Sequence, residues 1–220
     1  MTRFLAALAG AGLCLFGLSA LAHNGVEHGS AAEAAAHAGQ DAGESGAEEA
    51  AAPPLPLPGS IGGSYALTDH FGQPRTERDP DGLPQLIFFG YANCPAICSV
   101  ALPRMAETVD LLAAQGVTVR PLLITVDPER DTPEAMREAA PKIHEKMIGL
   151  TGSEEALAKA RAAFQVERKL VTVMPDYGAI YSHGSYVYLM DAEGGFLTLM
   201  PPILGPERMA EIAAGYLGGS

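Results

Sequence analysis

From Gly62 onward the chain switches repeatedly between short apolar runs and apolar positions spaced three and four apart. Tyr65-Ala-Leu-Thr-Asp-His-Phe-Gly predicts a short strand and turn, and Gln85-Leu-Ile-Phe-Phe-Gly is a continuous apolar run suited to a buried strand. Leu102, Met105, Val109 and Leu112 fall on one face of a helix predicted over 99–115. Val117 to Val126 predicts a strand inside a covered sheet. Asp131-Thr132-Pro133-Glu134 then opens a second helix, with Thr132 as N-cap and Pro133 at the first helical position, and Pro141 is expected to bend or end it. Ser153-Glu-Glu-Ala-Leu starts a third helix ending near Phe164. Strands are predicted at 170–173, 186–191 and 196–199, the last two joined through Glu193-Gly194-Gly195 as a hairpin, and Pro206 begins a final helix through Tyr216. Strand–helix alternation followed by a hairpin and a helix predicts an α/β sandwich, a central mixed sheet flanked by helices. No internal repeat interrupts it.

The first 58 residues follow neither rhythm. One positive charge at Arg3 precedes an uninterrupted apolar run from Phe4 to Ala22 that ends in Ala20-Leu21-Ala22, the small-x-small pattern of a signal-peptide cleavage site. A retained anchor is the competing reading, because 19 apolar residues nearly span a hydrocarbon layer of about 30 Å at about 1.5 Å per residue. Cys14 follows Leu13 inside that run, where a lipidated cysteine would follow a small residue, and reads as signal filler. Residues 23–58 are rich in Ala, Gly, Glu and His and end in Pro53, Pro54, Pro56 and Pro58, with almost no large apolar residue to offset ordering entropy by burial. They read as a disordered acidic tail closing in a stiff linker, with the folded domain over 59–220. His23, His28 and His37 in that tail are either weak metal donors or incidental solvated residues.

Charge narrows the function classes. Of a net charge of -12, residues 23–58 carry six acids and no Lys or Arg, and residues 59–220 carry 13 bases against 20 acids. Such a chain is a poor partner for nucleic acid or an anionic membrane surface. Three cysteines are too few for a disulfide scaffold, and cleavage after Ala22 would leave two, in a compartment where a dithiol meets oxidants.

Those two cysteines lie in Phe88-Phe89-Gly90-Tyr91-Ala92-Asn93-Cys94-Pro95-Ala96-Ile97-Cys98, where a buried strand gives way to a helix. A helix N-terminus offers unpaired N–H groups and the positive end of the dipole, which favour thiolate over thiol. At a spacing of four, both sulfurs face one side of a turn. Two convergent thiolates suit a soft ion such as Cu(I); the alternatives are a structural disulfide or two buried thiols.

The chain resembles the Sco (SenC) copper-binding proteins, thioredoxin-like proteins associated with cytochrome c oxidase assembly. The resemblance spans residues 60–217 and rests on four motifs in order: Gly62 to Gly72, similar to the family's N-terminal hairpin; Phe89-Gly90-Tyr91 with Cys94-Pro95-Ala96-Ile97-Cys98, similar to its metal loop; Val126 to Glu134, similar to the signature after the next strand; and Ser182-His183-Gly184 before Tyr186 to Asp191. It implies a thioredoxin-like fold with an added N-terminal hairpin, copper bound by Cys94, Cys98 and His183, and Asp127 close to the site; by donor chemistry two thiolates and an imidazole suit Cu(I), and Cu(II) once the imidazole and a further donor engage. Asp127 would orient His183 or tune the thiols; its alternative is to cap the following turn. Two positions depart from the family: Ser99 stands where a proline usually follows the second cysteine, and Ser182 rather than an acidic residue stands immediately before His183. Tyr177 and Tyr181 either shield the copper or pack on the domain.

The leading expectation is a periplasmic copper chaperone, soluble after cleavage or anchored to the inner membrane. Its partners would be the cytochrome c oxidase subunit carrying the dinuclear copper centre, other periplasmic copper carriers and thiol reductants. A thiol–disulfide oxidoreductase with Cys94 attacking and Cys98 resolving is the enzymatic alternative, and a copper or redox sensor the third. A peroxidase would want one reactive cysteine with an arginine and a hydroxyl, and the close pair argues against it.

Overall fold

In the computed structural model, residues 60–218 apart from 93 and 95 are described, together with the backbone at 22–23 and 26–27. The chain divides into two units, Met1–Pro56 and Leu57–Ser220. In the first, β1 (Ala22–His23) pairs antiparallel with β2 (Val26–Glu27). The leader with Cys14, the rest of the tail and the side chains of its three histidines lie outside the described residues.

The second unit is built on β5 (Gln85–Gly90), every residue of which is buried: the apolar run 86–89 requires it, and the Gln85 amide is satisfied by donating to the Glu77 carbonyl at 2.7 Å. It runs parallel to β6 (Arg120–Thr125), and β6 runs parallel to β7 (Ile148–Thr151). On the other side β10 (Val187–Met190) pairs antiparallel with β5 and forms a hairpin with β11 (Phe196–Met200). The N-terminal hairpin of β3 (Leu67–Asp69) and β4 (Pro74–Arg75) completes the far edge through β7, giving the order β11-β10-β5-β6-β7-β3-β4. This mixed sheet with its helices is the thioredoxin-like architecture expected. Tyr91, Phe88, Phe89 and Phe164 are the largest fully buried side chains among the described residues, so truncating Phe89 to alanine would cost about 3–5 kcal/mol.

Four helices follow the sequence signals closely. In α1 (Cys98–Ala114), Leu102, Met105, Val109 and Leu112 are buried. The N-cap of α2 (Pro133–Ile143) is Thr132, whose hydroxyl accepts from Ala135 N–H at 3.3 Å, and Pro141 sits in its last turn, two residues before its end. Ser153 caps α3 (Glu154–Ala163) in the same way at 3.2 Å, and α4 (Pro206–Leu217) closes the chain.

Several elements were not expected, among them β1 and β2 at the start of the acidic tail, a 3-10 turn at Pro202–Leu204 and two further strands. The strand β7 comes from Ile148-Gly-Leu-Thr, too short to show a period. The approach to His183, where no strand is predicted, is a strand: β9 (Gly178–Ser182) pairs antiparallel with β8 (Lys169–Met174) as a two-stranded hairpin separate from the main sheet. Along β8 successive residues are exposed, with Leu170, Val171 and Val173 all more than half open to solvent.

Candidate metal centre

The carboxyl ends of β5 and β6 lie side by side, with Gly90 paired to Thr125, and Val126 N–H continues the ladder to the Gly90 carbonyl at 2.8 Å. Two loops therefore leave the sheet at one point, Tyr91 to Ile97 from β5 and Val126 to Thr132 from β6. Because β10 pairs antiparallel with β5, with Val187 opposite Phe88, the residues just before β10 are delivered to the same end. Topology in this way brings His183 to the dithiol across 85 residues: its Nε2 lies 3.4 Å from Cys98 Sγ. One donor atom from each of Cys94, Cys98 and His183 fits within 4.8 Å of the other two.

Both cysteines are free and buried, Cys94 9% and Cys98 2% exposed. The Cys98 thiol donates to Cys94 and pushes the Cys94 thiol well below its ordinary pKa; burial opposes this, and the His183 ring with the N–H groups of Cys98 and Ala96 adds to it. The same hydrogen bond, with burial, pushes Cys98 up. The pair thus holds one proton between two sulfurs.

His183 Nδ1 lies 2.8 Å from the Gly184 carbonyl, which can only accept. Nδ1 therefore donates its hydrogen to that carbonyl, and Nε2 is the ring nitrogen that faces Cys98 and the metal position. Edge contacts fix the ring plane: Phe88 at 5.9 Å and 84°, Tyr91 at 5.8 Å and 77°. Tyr91 is fully buried, and burial first, with the nearby thiols, raises its pKa to about 12, so it remains a neutral phenol beside the sulfurs. Its hydroxyl accepts from Tyr181 N–H at 3.4 Å.

Asp127 is 2% exposed, and its carboxylate accepts from Arg130 Nε rather than from His183 or a thiol. Arg130 in turn donates to the Tyr177 carbonyl and, at 2.6 Å, to the Ala179 carbonyl, and its guanidinium stands 5.6 Å from the centroid of Tyr91. Asp127 thus reaches the site through Arg130 and the β8–β9 hairpin. The turn that follows it is closed by its backbone carbonyl, which accepts from Arg130 N–H at 3.2 Å and Asp131 N–H at 2.9 Å. Tyr181 packs edge-on to Tyr91 at 6.1 Å under the Arg168 guanidinium, whereas Tyr177 is 43% exposed.

Sequence reasoning assigned no role to Arg130 or Asp131, although both stand in the quoted segment 126–134. Asp131 is buried and its Oδ2 accepts from Ala92 N–H at 3.1 Å and from Thr125 Oγ1 at 2.7 Å, tying the cysteine loop to the end of β6. Burial raises its pKa despite these bonds. At the departing position after the second cysteine, Ser99 donates its hydroxyl to the Ala96 carbonyl at 2.6 Å and so fastens the first turn of α1.

The donor set, two sulfurs and one imidazole with its second nitrogen already engaged, fits a soft metal ion. The SCO1/SenC family model matches residues 55–218. Protein SenC of Rhodobacter capsulatus is 37% identical over 157 residues, 71% of each chain. The crystal structure of Arabidopsis thaliana ScoI with copper bound superposes at a TM-score of 0.69 with 29% identity, covering 73% of this chain and all of that one. The structure of Bradyrhizobium japonicum ScoI with copper bound gives a TM-score of 0.63 and 33% identity over 71% of this chain and 99% of that one. By the span of the family model, its four motifs and this fold, the chain belongs to the SCO1/SenC family.

Proposed function

We propose that residues 59–220 form a copper-carrying domain that binds the ion as cargo through Cys94, Cys98 and His183 and serves the assembly of the dinuclear copper centre of cytochrome c oxidase. One observation carries the reading: three donors drawn from two distant segments converge within 4.8 Å, with His183 Nδ1 engaged by the Gly184 carbonyl and Nε2 turned to the thiols. Copper in the two ScoI structures and membership of the family support it. Two thiolates hold Cu(I), and the imidazole extends the set toward Cu(II). Asp127 acts as a positioning residue through Arg130. In the same proposal residues 1–22 direct export, 23–58 form the linker, and the domain works in the periplasm, free or tethered to the inner membrane. Among the described residues no helix is long and apolar enough to cross a membrane.

Thiol–disulfide exchange by the same pair is the second reading. It is favoured by the proton shared between the free thiols Cys94 and Cys98. Titration of metal-free protein with Cu(I) against a chromophoric chelator separates the two. The copper reading expects one ion per domain, lost in Cys94→Ala and Cys98→Ala and weakened in His183→Ala. Full affinity in His183→Ala would overturn the three-ligand site, and exchange activity that survives His183→Ala would support the second reading.

A further inference from the structure

His183 occupies one side of the dithiol. On another side a groove of about 430 Å³ runs between α1 and the end of α2, with Cys94 and Cys98 in its wall beside Ala92, Leu102, Ile143 and Lys142. His183 is not part of that lining. The volume lies in the range of small-molecule sites, roughly 300–1,000 Å³, and suits a compound of about tripeptide size. Its walls sort by chemistry: sulfur at the thiols, apolar surface on Leu102 and Ile143, and a cation at Lys142. Among the described residues of the lining Lys142 is the one cationic side chain, in a domain with 20 acids and 13 bases, so the groove sets a positive charge beside the thiols where the domain as a whole is negative. Lys142 also borders the adjoining pocket, which Arg130, Asp131 and Glu138 line, and among the described residues it forms no ion pair with either carboxylate.

We propose that this groove is the docking site for a small carboxylate-bearing thiol or its disulfide, with the carboxylate on Lys142 and the sulfur against Cys94. The inference deepens the copper reading, since it gives an incoming sulfur ligand a path to Cys94 that leaves His183 in place. It is testable without copper. With a disulfide probe, the Cys94 thiolate attacks one probe sulfur, the probe S–S bond breaks and one probe thiolate leaves with the electron pair. The Cys98 sulfur, its proton given to solvent, then attacks Cys94 and releases the second thiolate. The protein gains one disulfide and the probe disulfide is reduced to two thiols.

The experiment compares the oxidation rate of the metal-free, full-length protein by glutathione disulfide, which is anionic, with that by the neutral bis(2-hydroxyethyl) disulfide, read by quenched flow and mass spectrometry at low salt. Lys142→Glu is expected to slow the glutathione disulfide reaction about 5-fold or more and to leave the neutral probe within about 2-fold. Ser99→Trp, which places bulk in the lining from an exposed position, is expected to slow both probes. In Lys142→Glu the ratio of the two rates cancels any general loss of thiol reactivity or folding. An unchanged ratio in Lys142→Glu, or undiminished rates for both probes in Ser99→Trp, would overturn the groove assignment. Either result leaves the copper titration untouched, and loss of the copper reading leaves this ratio intact.

Discussion

Gly178 leaves the space that Arg130 fills. It turns the β8–β9 hairpin at φ +69°, in the left-handed region, and a Cβ there would stand 2.5 Å from Arg130 Nη1. Arg130 thus grips the carbonyls on both sides of Gly178 while its own Nε is held by the buried Asp127. Four residues beyond the pair Tyr177–Ala179, the strand delivers His183.

Releasing that grip is expected to weaken the histidine without harming the thiols. Arg130→Ala and Gly178→Ala should each lower copper affinity about 10–100-fold, the range for loss of a group that orients a ligand. Alkylation of Cys94 should keep its wild-type rate. Arg130→Lys cannot span both carbonyls and should recover only part of the affinity. The chelator competition reads the first effect and iodoacetamide kinetics the second.

Gly90 ends β5 where backbone and sulfur approach closely. An added Cβ would lie 2.8 Å from Phe88 Cε1 and 3.0 Å from Cys98 Sγ. Gly90→Ala is expected to cost about 1–3 kcal/mol of stability through overpacking and to disturb copper binding as well, because Cys98 is one of the two groups that must give way. Chemical denaturation measures the first and the copper titration the second; unchanged stability would contradict the packing.

The shared proton predicts a pH profile. An ordinary thiol, with a pKa near 8.5, gains about tenfold in thiolate per pH unit below that value. With its pKa pushed down by the Cys98 thiol, Cys94 is already thiolate at neutral pH, so its alkylation rate should stay nearly flat between pH 6 and 8. Cys98→Ala removes the donor and should restore a rising profile. A rate in the wild type that climbs tenfold per unit would contradict the assignment.

Asp131 carries the opposite sign. Its folded-state pKa is raised by burial, so its contribution to stability is fully present below the unfolded value of about 3.9 and is lost as pH rises through the folded value. Asp131→Asn keeps an acceptor for Ala92 N–H and the Thr125 hydroxyl and removes the buried charge, so stability at pH 7 should hold or rise. Asp131→Ala strands both donors and should cost about 1–3 kcal/mol. Thermal unfolding of the two variants from pH 4 to 8 checks both the order and the slope.

Local signals carried much of this structure. The apolar run 85–90, the Thr132 cap and the three-and-four spacing in α1 each act within a few residues, and each element formed where its signal stood. The dithiol was legible because strand, loop and helix start are contiguous. His183 was legible only through family resemblance, since nothing within its own segment states that β10 will pair with β5 and place it beside Cys98. Arg130 is one of 13 basic residues in the domain, and its two carbonyl partners lie more than 45 residues away; Asp127 could not be given its partner until that geometry was seen. The strand β9 was hidden by its turn residues and by a pairing that buries little.

The central claim is that one copper ion is held by two sulfurs and one imidazole nitrogen. X-ray absorption of the Cu(I)-loaded wild type and His183→Ala tests it most directly. Two sulfur donors and one nitrogen in the wild type, with the nitrogen lost and both sulfurs kept in the variant, is the predicted result. A wild-type spectrum with sulfur ligands alone, unchanged by His183→Ala, would contradict it.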